Sequence, residues 1–144
     1  VAMKVEKPRD EPVLLVKWYD YTKWVLDRVD GFPKNQRFVL GTRLADSVVL
    51  VVELLAEAAY AGRGRKKELL AEANRKIEVT RWLVRLAADR NLISNRQFVH
   101  SCRSLEECGR MVGGWRRSLA PSREQEEAPK SFSTPAGGDG LQTS

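Results

Sequence analysis

The sequence contains one histidine, His100, and two cysteines, Cys102 and Cys108, in 144 residues. Catalytic bases and nucleophiles are activated by a partner within hydrogen-bond reach. No Cys, Ser or carboxylate stands at a spacing that suggests a triad with His100. Metal binding fails by the same count: di-iron helical bundles need a Glu-x-x-His motif from each of two helices, and one histidine cannot serve both. The residues four before and four after His100 are Arg96 and Ser104, so no ligand flanks it one helical turn away. Gly62-Arg-Gly64 is too short to cradle a phosphate in the manner of a dinucleotide or Walker loop, and Gly113-Gly114 falls late in a helical pattern. No enzymatic activity, metal or cofactor is therefore expected.

The cations are the side chains that remain. The 25 Lys and Arg against 19 Asp and Glu give a net charge of +6, and it is unevenly spread. Residues 1–60 are neutral, residues 61–118 carry +8 and residues 119–144 carry −2. Such segregation is the footprint of a polyanionic partner, with nucleic acid first in line. Arg96, Arg103, Arg110 and Arg117 recur every seven residues, which on a helix places them on one face about 10.5 Å apart along the axis. That spacing suits successive contacts along a phosphate backbone. Arg81 and Arg85 form an i, i+4 pair beside Glu78 and Asn74, and Arg63, Arg65, Lys66 and Lys67 cluster just before them. The competing reading of the ladder is a solvated helix face with Glu106 and Glu107 nearby.

These side chains must be positioned by helices, because four segments show helical periodicity and none shows the alternation of a half-buried strand. The first, about 13–29, buries Leu14, Trp18, Tyr21, Val25 and Val29 and is stopped by Asp30-Gly-Phe-Pro33. The second, about 34–61, repeats the pattern in Leu40, Leu44, Val48, Val51, Leu55 and Ala58, with small Gly41 and Ala45 permitting close helix approach. The third, about 65–90, turns Leu69, Ala73, Ile77, Thr80, Val84 and Ala87 inward, and Asn91 fits a C-terminal cap. The fourth starts at Ser94, with Gln97 completing a capping box, packs a seam of Phe98, Cys102, Leu105, Gly109 and Val112, and ends near Ser118. Short connections predict an all-α, antiparallel up-down-up-down four-helix bundle over residues 13–118. Residues 1–12 read as an irregular arm. Residues 119–144, poor in large apolar side chains, read as a disordered tail.

Trp24 shares a face with Lys17, Asp20 and Arg28 and is expected to be exposed in an isolated bundle, while Trp115 follows two glycines near the end of the fourth helix. Both are candidates for an oligomer interface. Cys102 and Cys108 lie about 240° apart around one helix and cannot bridge each other there, which points to a reducing compartment. No apolar stretch approaches the ~20 residues a bilayer span needs, so a cytoplasmic protein without membrane contact is expected.

Several runs, in order, resemble a known family. Phe32-Pro-Lys-Asn-Gln-Arg37, Leu40-Gly-Thr-Arg43 and Glu53-Leu-Leu with Ala58, Ala59 and Tyr60 are similar to the second helix of the accessory variability determinant (Avd) proteins of diversity-generating retroelements. Asn74-Arg75, Arg81-Trp-Leu-Val-Arg85-Leu-Ala87, and Gly109-Arg110 with Gly113-Gly-Trp115 continue the likeness, which covers about residues 13–118. The related proteins encoded in ribosomal-RNA intervening sequences look less similar, since their second helix usually carries Asn-x-x-Glu-Gly where this chain has Glu53 to Ala58. The resemblance implies a subunit of a pentameric barrel with a basic surface. It also implies a non-catalytic partner of the element's reverse transcriptase that binds nucleic acid and supports mutagenic retrohoming. It singles out Arg37, Arg43, Arg81, Arg85 and Arg110 as contacts to the transcriptase or to template RNA, with DNA a further possible ligand. Arg96, Arg103 and Arg117 rest on periodicity alone. The rival reading is a structural bundle like the intervening-sequence proteins, whose positive face binds an acidic protein partner.

Overall fold

The computed structural model describes residues 12–120. The expected irregular arm, apart from Pro12, and the expected disordered tail beyond Ala120 lie outside the described residues. Helix α1 is Val13–Asp30, α2 occupies residues 34–60, α3 is Arg63–Asp89 and α4 is Asn95–Ser118. α1 packs on α2 and α4, and α3 packs on the same two helices from the other side. The four run antiparallel to their chain neighbours around one core.

The inward stripes meet as the periodicity predicts, with Trp18, Val48, Val51, Leu55, Leu69, Ala73, Ile77 and Leu105 fully removed from solvent. Polar ties within this apolar interior fix which residue faces which. The Trp18 indole Nε1 donates to the Val48 carbonyl at 2.9 Å, and the Thr22 hydroxyl reaches the same oxygen at 3.5 Å, joining α1 to α2. The Tyr21 and Ser101 hydroxyls meet at 2.6 Å and join α1 to α4; burial pushes the Tyr21 phenol well above its ordinary pKa. Ser47 and Thr80 meet at 2.6 Å between α2 and α3. Thr80 spends its only proton on the Lys76 carbonyl at 2.8 Å, so Ser47 is the donor in that pair. Every buried side-chain nitrogen and oxygen among the described residues has a partner.

Both caps expected between α3 and α4 are formed. Asn91 adopts the left-handed conformation, φ 61°. Its N–H reaches the Ala88 carbonyl at 3.0 Å while that of Leu92 reaches Ala87 at 2.9 Å, the paired bonds of a Schellman turn. Ser94 Oγ accepts from the Gln97 N–H at 3.1 Å and Gln97 Oε1 accepts from the Ser94 N–H at 2.8 Å.

Three expectations need correction. α2 is not an uninterrupted α-helix: Arg37–Gly41 forms a π-helical turn between Lys34–Gln36 and Thr42–Tyr60. In the widened turn the Arg37 carbonyl accepts the Thr42 N–H and, at 3.3 Å, its hydroxyl. Leu40 and Gly41 stay buried while Phe38 and Val39 both face out. A Cβ on Gly41 would come within 2.9 Å of Val29 Cγ1, so any side chain there would force Val29 to shift. The α4 seam is Ser101, Leu105, Cys108 and Val112, with Phe98, Cys102 and Gly109 half-buried beside it. The Tyr21 hydroxyl draws Ser101 inward and rotates the helix relative to a purely apolar register. Finally, Leu119 belongs with the bundle, half-buried against the core with its N–H on the Arg116 carbonyl.

The Ser47–Thr80 pair makes a sharp test of the cross-ties. Thr80→Val leaves the Ser47 hydroxyl buried without its acceptor and is expected to lower stability by about 1–3 kcal/mol in urea unfolding. The double variant Ser47→Ala/Thr80→Val removes both polar partners and should recover most of that loss. Strictly additive losses would show that the pair does not act as a unit.

Candidate nucleic-acid and partner interface

All four rungs of the arginine ladder, Arg96, Arg103, Arg110 and Arg117, are exposed on the face of α4 opposite its buried seam. Arg110 has Glu106 Oε1 at 3.9 Å, a loose contact between two exposed groups, worth little in water. Among the described residues no carboxylate lies within ion-pair distance of the other three rungs. Arg81 sits on the flank of α3 that faces α4. Its Nε contacts Glu78 Oε1 at 3.3 Å, and its guanidinium lies over Gly109, where a Cβ would stand 3.5 Å from Nη2. The missing side chain at Gly109 thus makes room for a cation at the α3–α4 seam. One turn on, the Arg85 guanidinium stacks 5.3 Å from the centre of the Trp82 ring.

Arg81 and Arg85 thus lie on the flank of α3 toward α4, and Arg96, Arg103, Arg110 and Arg117 on the outer face of α4. Arg37 and Arg43 are exposed elsewhere. Arg43 lines the groove between α2 and α3 with Asp46, Leu50, Lys76 and Val79, on the other side of α3. Arg37 opens the π-turn beside exposed Phe38 and Val39. The cluster at the start of α3 is largely occupied by contacts within its own chain. Arg65 contacts Glu57 at 3.3 Å and Glu68 at 3.2 Å, and the hydrogen bonds it donates to Glu68 and Glu57 raise its pKa. Arg63 donates to the Leu119 carbonyl at 2.6 Å, and the Lys66 ammonium stands 5.8 Å from the Trp115 ring centre.

Trp24 is only half exposed, contrary to expectation. Its ring stacks on Tyr21 at 6.0 Å, tilts against His100 of α4 at 4.8 Å and lies under Arg28 at 5.3 Å. Trp115 is likewise half-buried against the core. The side chain that sequence reasoning passed over is Trp82, 66% exposed, which with Val79 and Leu86 forms an apolar stripe on the outer face of α3. The signal was present: position 82 falls opposite the inward series Ile77, Thr80 and Val84. No group of three or more potential metal ligands occurs among the described residues, and no described helix is long and apolar enough to cross a membrane.

A family model described as bAvd-like matches residues 12–119, the stretch that builds all four helices. The chain belongs to the bAvd-like family. Membership implies an accessory variability determinant of a diversity-generating retroelement, a non-catalytic accessory protein associated with the element's reverse transcriptase. No curated protein matches the chain. The ladder, the Arg81–Arg85 pair and the two separate arginines of α2 all fall inside the bAvd-like match; the acidic residues beyond Ala120 fall outside it.

The two thiols of this bAvd-like chain occupy different settings. Cys102 is half-buried, whereas Cys108 is buried, and burial, with Glu107 nearby, pushes its pKa up to about 11 from 9.0. A thiol held neutral in this way stabilises the fold fully below pH 9. That contribution is lost as pH rises through 11, because the unfolded chain releases the proton first. Unfolding titrations should show stability falling between pH 9 and 11, and Cys108→Ala should flatten that fall. At neutral pH a thiol reagent should modify Cys102 first; Cys108 reacting as fast in the folded protein would contradict its burial.

Proposed function

We propose that this protein is a homo-oligomeric adaptor that holds a diversity-generating retroelement's reverse transcriptase and template RNA together, supporting mutagenic complementary-DNA synthesis. The observation that supports the nucleic-acid part is the row of four exposed arginines along the outer face of α4, with Arg81 and Arg85 on the flank of α3 that faces α4. A cationic track follows the backbone of single-stranded nucleic acid, and Trp82 serves it by holding the Arg85 guanidinium over its ring. Arg37 and Arg43 lie apart, near exposed Phe38 and Val39, a mixed apolar and cationic surface better suited to a protein partner such as the transcriptase. Self-association, as a pentamer, would bury the Val79–Trp82–Leu86 stripe, with Trp24 and Trp115 contributing only the half of their surface that the subunit leaves open.

The rival, a structural bundle that binds an acidic protein, predicts cationic contacts without affinity for RNA. Two measurements separate the readings. Contacts from the four ladder rungs to a single strand should give a log-affinity against log-salt slope of about −3, at about −0.7 per phosphate neutralised; a flat dependence would sink the electrostatic reading. Arg81→Ala with Arg85→Ala should weaken RNA or transcriptase capture while helicity and oligomeric state persist. Arg81 gives up only a half-exposed pair with Glu78, so little stability is at stake. Loss of the oligomer in that variant would place these arginines in a structural role instead.

A further inference from the structure

At the end of the bundle where α3 begins and α4 stops, an open groove of about 600 Å³ is lined by Lys67, Glu68, Ala71, Gly113, Arg116 and Arg117. Its floor is made of small residues and its rim is cationic. Gly113 and Gly114 leave space that the Arg117 guanidinium overhangs, a Cβ on either glycine standing 3.5 or 3.8 Å from its nitrogens. The single carboxylate on the rim, Glu68, is engaged by Arg65 at 3.2 Å. Among the described residues no carboxylate lies within ion-pair distance of Lys67, Arg116 or Arg117. Three cations thus converge on a concave surface without compensation from the described residues.

The chain leaves the bundle beside this groove, and its exit is fixed. Arg63 Nη2, at the first residue of α3, donates to the carbonyls of Leu119 at 2.6 Å and Ala120 at 3.3 Å, and Ala120 itself lines the groove. The sequence that follows is Pro121-Ser-Arg-Glu-Gln-Glu-Glu127. Glu124, Glu126 and Glu127 put three negative charges into four residues, offset by one cation, Arg123. Glu124 lies four residues past Ala120, so its Cα is never more than about 14 Å from the groove's edge. A ligand tethered this closely is present at an effective concentration in the millimolar range.

We propose that the groove is a binding site for an acidic peptide and that its occupant is the chain's own Glu124–Glu127 run, whose carboxylates pair with Lys67, Arg116 and Arg117. The contact is electrostatic and requires no folding of the segment. It places a competing anion at one end of the arginine ladder, since Arg117 is both a ladder rung and a wall of the groove. A polyanion that engages Arg117 must displace the acidic run. The docking does not depend on the nucleic-acid reading; only this competition does.

Zero-length carbodiimide cross-linking of the full chain at low salt tests the docking directly, because it joins a lysine ammonium to a carboxylate in contact. Lys17 and Glu107, 3.1 Å apart, supply an internal positive control. The expected product links Lys67 to the peptide containing Glu124–Glu127, and in a mixture of heavy-nitrogen and ordinary protein it joins residues of the same chain. Formation of the control link without the Lys67 link, or a link only between heavy and light chains, overturns the proposal. Affinity for a single-stranded RNA 20-mer tests the competition. Glu124→Gln/Glu126→Gln/Glu127→Gln should bind about tenfold tighter, as removal of a tethered competitor predicts. Asp27→Asn/Asp30→Asn/Asp46→Asn changes the net charge equally on other helices and should gain far less. Equal gains would reduce the effect to overall charge and overturn the competition, and a chain that binds no RNA would fail the functional reading while leaving the cross-link to decide the docking.

Discussion

The bond from the Trp18 indole to the Val48 carbonyl is the constraint around which the bundle is arranged. Both residues are wholly buried, and an indole N–H without an acceptor in that setting would carry a desolvation cost of about 1–3 kcal/mol. Apolar packing tolerates sliding of one helix along another, because many registers bury similar area. A single donor with a single acceptor does not. Once Trp18 is matched to Val48, Tyr21 one turn on meets Ser101 of α4, and Ser47, the residue before Val48, meets Thr80 of α3. One end of this network thus sets the azimuth of α4, and with it the direction in which the arginine ladder points.

That azimuth matters because the ladder's charges are tolerable only when directed outward. Rungs about 10.5 Å apart along the axis are separated by about a Debye length at physiological salt, so each is largely screened from the next in the free protein. A bound polyanion replaces that diffuse screening with fixed phosphates, which converts the spacing into affinity. Glu106 and Glu107, in the middle of the same helix, do not cancel the arrangement. Glu107 is turned to Lys17 of α1 at 3.1 Å, and Glu106 reaches Arg110 only at 3.9 Å.

Much of this was legible from residue spacing alone. The inward positions of α3, the capping box at Ser94, the left-handed Asn91 and the outward ladder each follow from a local rule: a period of 3.6, a side chain that satisfies an N-terminal N–H, or a residue that accepts positive φ. What periodicity could not supply was anything decided between helices. Ser101 replaces a half-buried cysteine in the α4 seam because a phenol from α1 waits for it. Trp24 is covered because His100 of α4 lies 4.8 Å away. The π-turn in α2 and the close approach of Gly41 to Val29 are likewise absent from a pattern of apolar positions.

The two flanks of α3 differ in chemistry. Toward α4 it presents Arg81 and Arg85, with Gly109 opposite to admit a guanidinium; toward α2 it presents Lys76 and Leu83 over a groove that holds both Arg43 and Asp46. Between them runs the Val79–Trp82–Leu86 stripe. A purely structural surface helix would place polar residues there, because exposed contiguous apolar side chains invite association. Trp82 belongs to both settings at once: its edge continues the apolar stripe while its face carries the Arg85 guanidinium at 5.3 Å. A ring so placed joins the apolar stripe to the cationic flank of α3, so that the position of the Arg85 guanidinium depends on the packing of the ring beneath it.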